Sequence, residues 1–271
     1  MKRTGFLALV CLVLACVSRS VPEERYSESV GLPTPVFSVQ LADPEHYSFA
    51  IVGDLHVRFG DTSRLERILG DAAAEGDAFV ILLGDNVDDG QKEDFLAVKR
   101  AIEKGGWSGK VLPVLGNHDI FGDGWMYYRE ILGPSHYSVS LGNAKFIALD
   151  TADGTITKDE KQWIEEQVAQ SRPTHLFFLS HYLPTVPGQR TYLKIADAEE
   201  ARRLMKFASD RKVTAWLGAH YHSYATGSVD GVEYVVAGGG GNRRMPPVLD
   251  YFYVQVTVAG KDVRYQMHVV P

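Results

Sequence analysis

From Tyr47 onward, short apolar runs alternate with amphipathic stretches, and that alternation limits the folds open to this chain. Residues 48–52, 78–83 and 111–115 have the length and content of buried strands. Between the first two, Leu65, Ile68, Leu69, Ala72 and Ala73 recur on one helical face, with Asp61 or Thr62 available as the cap. Residues 91–104 form the next helical stretch. Strand–helix–strand–helix–strand of this kind predicts right-handed parallel crossovers.

The second half is more mixed. Residues 137–141 and 146–149 flank Gly142-Asn143, a hairpin pattern. Thr157 and Glu160 form a capping box for a helix carrying Trp163, Ile164 and Val168. Residues 176–179 and 213–217 read as strands, and Asp197 with Glu200 opens the helix between them. Residues 224–228 and 232–236 pair around Asp230-Gly231, and residues 251–258 and 263–270 form a last hairpin. These elements make one α/β domain over residues 46–271, with two sheets packed together and helices outside.

Five polar motifs follow five of the expected strands. They are Gly53-Asp54-Leu55-His56, Gly84-Asp85-Asn86-Val87-Asp88, Gly116-Asn117-His118-Asp119, Ser180-His181 and His220-Tyr221-His222. In an open α/β sheet the carboxyl ends of the strands form the ligand crevice, so residues far apart in sequence converge there. Asp54 and His56 are two apart, as are His220 and His222, and in extended backbone each pair points to one side. Carboxylates, imidazoles and an amide oxygen without thiolate form a ligand set for Mn, Fe or Zn. Two adjacent ions need a bridging ligand to sit about 4 Å apart, and Asp85 is the central candidate.

These motifs, in this order and spacing, resemble the signature of the calcineurin-like metallophosphoesterases, the superfamily that includes the purple acid phosphatases. The resemblance implies a four-layer αββα sandwich of two mixed β-sheets flanked by helices, and two divalent metal ions. It implies that Asp54, His56 and His222 hold one ion and Asn117, His181 and His220 the other, with Asp85 bridging. It places His118 over the reacting phosphate, oriented by Asp119, with Asp88 behind the ligands. The implied reaction is hydrolysis of a phosphoric mono- or diester by water activated between the metals, with His118 as acid or charge stabiliser. Two departures show. Ala219 stands where the family usually has glycine, and Asp88 stands where the purple branch has its iron-binding tyrosine.

Other residues are read more coarsely. Arg190, Lys194 and Arg243, with Arg244 beside them, are candidate contacts for a substrate anion. The tetraglycine at 238–241 is either a close-approach loop or a flexible connection. Trp125, Tyr127 and Tyr128 are read as core, and His46, His136, His175 and His268 as non-ligands. Ser180 lacks the Gly-x-Ser-x-Gly setting of a serine hydrolase.

The N-terminus carries Lys2 and Arg3, then an uncharged run over residues 6–17 that is shorter than the roughly 20 residues of a spanning helix. This is the layout of a secretory signal. Val13-Leu14-Ala15-Cys16 resembles a bacterial lipobox, so residues 1–15 are expected to be a signal peptide and residues 16–45 a lipid-anchored tether or extended lead-in. The expected location is the bacterial periplasm or cell envelope, with the membrane engaged through Cys16. Both cysteines, Cys11 and Cys16, lie in this segment, leaving the domain no thiol for metal. The formal net charge of −6 gives no broad positive field, which argues against large nucleic acids and for a small phosphorylated substrate. Nothing in the sequence points to a protein partner. The alternative to an enzyme is a non-catalytic metal-binding lipoprotein on the same fold.

Overall fold

The computed structural model describes residues 20–187, 195, 197–242 and 244–271. Its eleven strands form two mixed sheets. In the first, β1 (His46–Val52), β2 (Val80–Leu83) and β3 (Val111–Val114) run parallel. β10 (Tyr251–Ala259) joins β1 antiparallel, and β11 (Asp262–Val270) completes the order β11-β10-β1-β2-β3. Pro113 lies in β3, at the edge of the sheet, where its missing N–H costs no ladder bond.

The second sheet has the order β4-β5-β6-β7-β9-β8. Here β5 (Ala144–Ala148), β6 (His175–Leu179), β7 (Ala215–Gly218) and β9 (Val232–Ala237) are parallel, with β4 (Tyr137–Leu141) and β8 (Tyr224–Val229) antiparallel at the edges. The β8–β9 turn is the expected one, with Asp230 and Gly231 both left-handed.

Aromatic side chains fill the space between the sheets. Phe49 stacks on Phe79 at 4.6 Å and Phe146 on Phe177 at 5.1 Å, and Phe49 meets both members of the second pair edge-on. On the outer face of the first sheet lie α2 (Ser63–Ala74), α3 (Lys92–Lys104) and α4 (Gly124–Ile131). On that of the second lie α5 (Lys158–Ala169) and α6 (Ala198–Asp210). The result is the four-layer αββα sandwich.

Two segments depart from the sequence reading. Residues 124–131, not assigned there, form α4, whose Trp125 and Tyr128 are buried in the outer core as their bulk suggests. Within the supposed tether, Pro22–Ser29 form α1, and Phe37, Val39 and Leu41 pack against the inter-sheet core. α1 is held by long-range partners that no local pattern shows. Arg25 is fully buried against Asp150, and Trp125 Nε1 donates to Glu28 at 2.6 Å. Among the described residues no helix is long and apolar enough to cross a membrane.

Candidate metal centre

The loops after β1, β2, β3, β6 and β7 leave the carboxyl ends of their strands and meet over one edge of the sandwich, carrying the five motifs with them. Asp54, His56, Asp85 and His222 place ligand atoms within 4.8 Å of one another, and Asp85, His181 and His220 form a second such group. Asp85 belongs to both. Its Oδ2 is 3.5 Å from His56 Nε2 and 3.3 Å from His181 Nε2. Asn117 joins the second group through its Oδ1, 3.0 Å from His181 Nε2.

The path to this geometry differs from strand alternation. Asp54, His56, Asp85 and His220 all have left-handed backbone, with φ of 58°, 47°, 51° and 65°. Asp54 and His56 therefore converge through a coil that the loop after β2 supports: their N–H groups donate to the carbonyls of Gly84 and Asp85. His220 and His222 do not share a side. His220 joins Asp85 and His181, while His222 Nε2 lies 3.6 Å from Asp54 Oδ1. Four non-glycine residues held at positive φ in one site is strain concentrated where ligands must be aimed.

The donor set fits two divalent cations. Both carboxylate oxygens of Asp54 and Nε2 of His56 are buried without a hydrogen-bond partner, which a native fold rarely tolerates. His181 Nδ1 lies 2.9 Å from the Leu83 carbonyl, so a proton there leaves Nε2 for a metal. His56 Nδ1 is likewise paired with the Asp88 carboxylate at 2.9 Å. Burial disfavours charge on Asp85 and His181, but their mutual attraction outweighs it. The Asp85 carboxyl stays well below the usual carboxylate range, and His181 is raised to about 9. Burial and the neighbouring His181 push His220 down to about 3. The buried carboxylates of the site thus favour positive charge among these ligands.

Glycine makes the close approaches possible. A Cβ on Gly116 would overlap the Asp85 backbone nitrogen. The tetraglycine is buried: a Cβ on Gly238 would strike the Asp54 carboxylate, and one on Gly241 the Leu55 carbonyl. It is a packed support for the Asp54 loop rather than a flexible connection. Arg244 secures it from outside, donating to the carbonyls of Gly238 and Asn242 at 2.8 and 2.7 Å. This brace role was not visible in the sequence, where Arg244 read only as a possible anion contact. The Ala219 methyl occupies the space that a Cβ on Gly53 would need, so the alanine at the family's glycine position is matched by glycine across from it.

A family model described as calcineurin-like phosphoesterase matches residues 47–224. The chain belongs to that family. Its fold is similar to the purple acid phosphatase PPD1 from yellow lupin (Lupinus luteus) seeds, with a TM-score of 0.66 at 16% identity. That match covers 88% of this chain, which spans 54% of the lupin chain. A dimetal phosphatase from Danio rerio matches with a TM-score of 0.62 at 13% identity, over 82% of this chain and 96% of its own. GAP50, described as the anchor in the inner membrane complex of Plasmodium, gives 0.59 at 15%, over 83% and 84%. At these identities the likeness is one of fold. No curated protein matches the sequence.

Within this calcineurin-like frame, the expectation for Asp119 needs correcting. Its carboxylate accepts from the N–H groups of Gly116 (2.8 Å) and Val87 (3.0 Å) and from Asn86 Nδ2 (2.8 Å), and is fully buried. Three donors hold it away from the His118 ring, so it ties two ligand loops together instead of orienting that histidine. The orienting acceptor is the Asp88 backbone carbonyl, 2.6 Å from His118 Nδ1. His118 is half-open to solvent, with its ring 4.5 Å from that of His56 and 4.8 Å from that of Phe121. Arg190, Lys194 and Arg243 lie outside the described residues.

Proposed function

We propose that this chain is an exported hydrolase of small phosphoric mono- or diesters that works with two divalent ions. The observation carrying this reading is that two ligand clusters share one buried carboxylate, Asp85, beside a histidine left facing solvent. Asp54, His56, His222 and Asp85 would hold one ion, and Asp85, Asn117, His181 and His220 the other. Bound there, the pair supplies positive charge for phosphate oxygens and acidifies a coordinated water.

The protein's own groups do the rest. Asp88 acts twice, its carboxylate fixing His56 and its carbonyl fixing His118. With Nδ1–H donated to that carbonyl, Nε2 is the nitrogen left for a substrate oxygen, and it gives up a proton only from the imidazolium form. His118 thus stabilises charge developing on the phosphoryl group or protonates the leaving alcohol. The backbone N–H of His118 donates to Asp85 Oδ1 at 2.8 Å, so the acid and the bridging carboxylate move as one unit.

The negative net charge supports a small substrate over a nucleic acid. The lipobox-like run ending at Cys16, outside the described residues, supports export with a lipid anchor in a bacterial envelope. Release of phosphate or alcohol from a panel of monoesters and diesters, with Mn, Zn or Fe supplied, tests the enzymatic reading. Full metal loading with no turnover on any ester would favour the non-catalytic alternative, and GAP50, described as an anchor, shows that this fold is found under such a description.

A further inference from the structure

Helix α1 lies outside the span matched by the family model, yet it sends the one fully buried arginine among the described residues into the domain. Arg25 Nε and Nη2 contact the two Asp150 oxygens at 2.7 and 3.1 Å, and Nη2 also reaches Asp153 at 2.7 Å. A third carboxylate, Glu160, is buried beside them and accepts from the Asp150 N–H at 2.8 Å. One guanidinium therefore pairs with both carboxylates of the loop after β5.

That loop leads to the metal centre. Thr151 is fully buried, and its Oγ1 accepts from the Tyr182 N–H at 2.8 Å. Tyr182 follows His181, and its ring lies 3.9 Å from that of His220 and 5.3 Å from that of His181. The Tyr182 carbonyl is held in turn by Ser180 Oγ at 2.7 Å, which accepts from Trp216 at 2.8 Å. His181 and His220 are the imidazoles of the second ligand cluster. Asp54 and His56, of the first, are tied instead to the carbonyls of Gly84 and Asp85.

We propose that α1 is a latch for one half of the site: Arg25, through Asp150, Thr151 and Tyr182, positions His181 and His220 to bind their ion. Without the guanidinium, the Asp150 and Asp153 carboxylates lose their cation, Asp150 in a buried position. The loop must open to hydrate them, which draws Thr151 away from the Tyr182 N–H and frees the two imidazoles. Arg25 is a positioning residue, distant from any substrate. The inference rests on the two-ion reading of the site.

The test is a Mn²⁺ titration of the metal-free full chain, as wild type, Arg25→Met and Thr151→Val, with melting temperatures recorded alongside. Wild type should take two ions. Each variant should keep one site unchanged and bind the other about 10–100-fold more weakly, the usual effect of removing support behind a metal ligand. Thr151→Val leaves the Arg25–Asp150 pair intact, so it cuts the connection even if Arg25→Met does not fold. Two unchanged sites in Thr151→Val, or equal weakening of both, would overturn the latch while leaving the dinuclear site standing. A lowered melting temperature with full binding would reduce Arg25 to a stability role and overturn it too. Fewer than two ions in wild type would overturn the site reading and the latch together.

Discussion

His136 should make the fold acid-sensitive. Its ring is buried, stacked on Tyr26 at 4.5 Å and edge-on to Trp163 at 4.7 Å. Burial pushes the imidazole down to about 4, although the Asp150 charge pulls the other way. In the unfolded chain it titrates near 6.5. A depressed folded value means that the unfolded state takes up the proton first. The neutral ring's stabilisation is therefore complete above pH 6.5 and is lost progressively as pH falls toward 4. At about 1.4 kcal/mol per unit the full shift corresponds to about 3 kcal/mol, of which about 2 kcal/mol should disappear between pH 7.5 and pH 5. Urea unfolding of wild type and His136→Phe, both metal-free, isolates this contribution, because the ligand histidines titrate alike in the two proteins. The gap between their unfolding free energies should shift by that amount in favour of the phenylalanine variant at pH 5. A gap that stays constant with pH would refute the reasoning.

Other outcomes follow from the site. His118→Asn should retain both ions and lower turnover roughly 10²–10⁴-fold, with larger losses for poor leaving alcohols than for nitrophenyl esters. Asp119→Asn should behave differently, because an amide turned toward three N–H donors breaks the tie between ligand loops; its melting temperature should fall without a leaving-group trend. Gly241→Ala should destabilise the chain by about 1–3 kcal/mol in denaturant unfolding, since its methyl would overlap the Leu55 carbonyl. Protein loaded with ferric iron should show no intense visible band, because Asp88 replaces the tyrosine of the purple branch.

The strand–helix alternation and the five motifs were legible because both are local. An apolar run followed by Gly-Asp or Asn-His is a pattern of adjacent residues, and the sheet's carboxyl ends gather whatever follows them. What escaped was long-range or belonged to the backbone. Arg25 finds Asp150 across 125 positions, so a short charged segment after Pro22 looked like a lead-in when it is a helix docked through a buried arginine. The partner of His118 is a carbonyl, which no side-chain pattern can announce, and the neighbouring Asp119 was the natural but wrong choice. Left-handed φ at Asp54 and His220 likewise has no signature in residue types, although the resemblance had already implied that His220 and His222 serve different ions. Gly53 facing Ala219 is a compensation seen only once the two sheets are packed face to face.

The central claim is that Asp85 serves two ions at once. Elemental analysis and ester hydrolysis on the same preparations of wild type and Asp85→Asn test it most directly. Wild type should carry two ions per chain and hydrolyse at least one phosphoester, and Asp85→Asn should lose occupancy at both positions along with its turnover. Active wild-type protein holding one ion or none, or an Asp85→Asn variant that keeps both, would contradict the account.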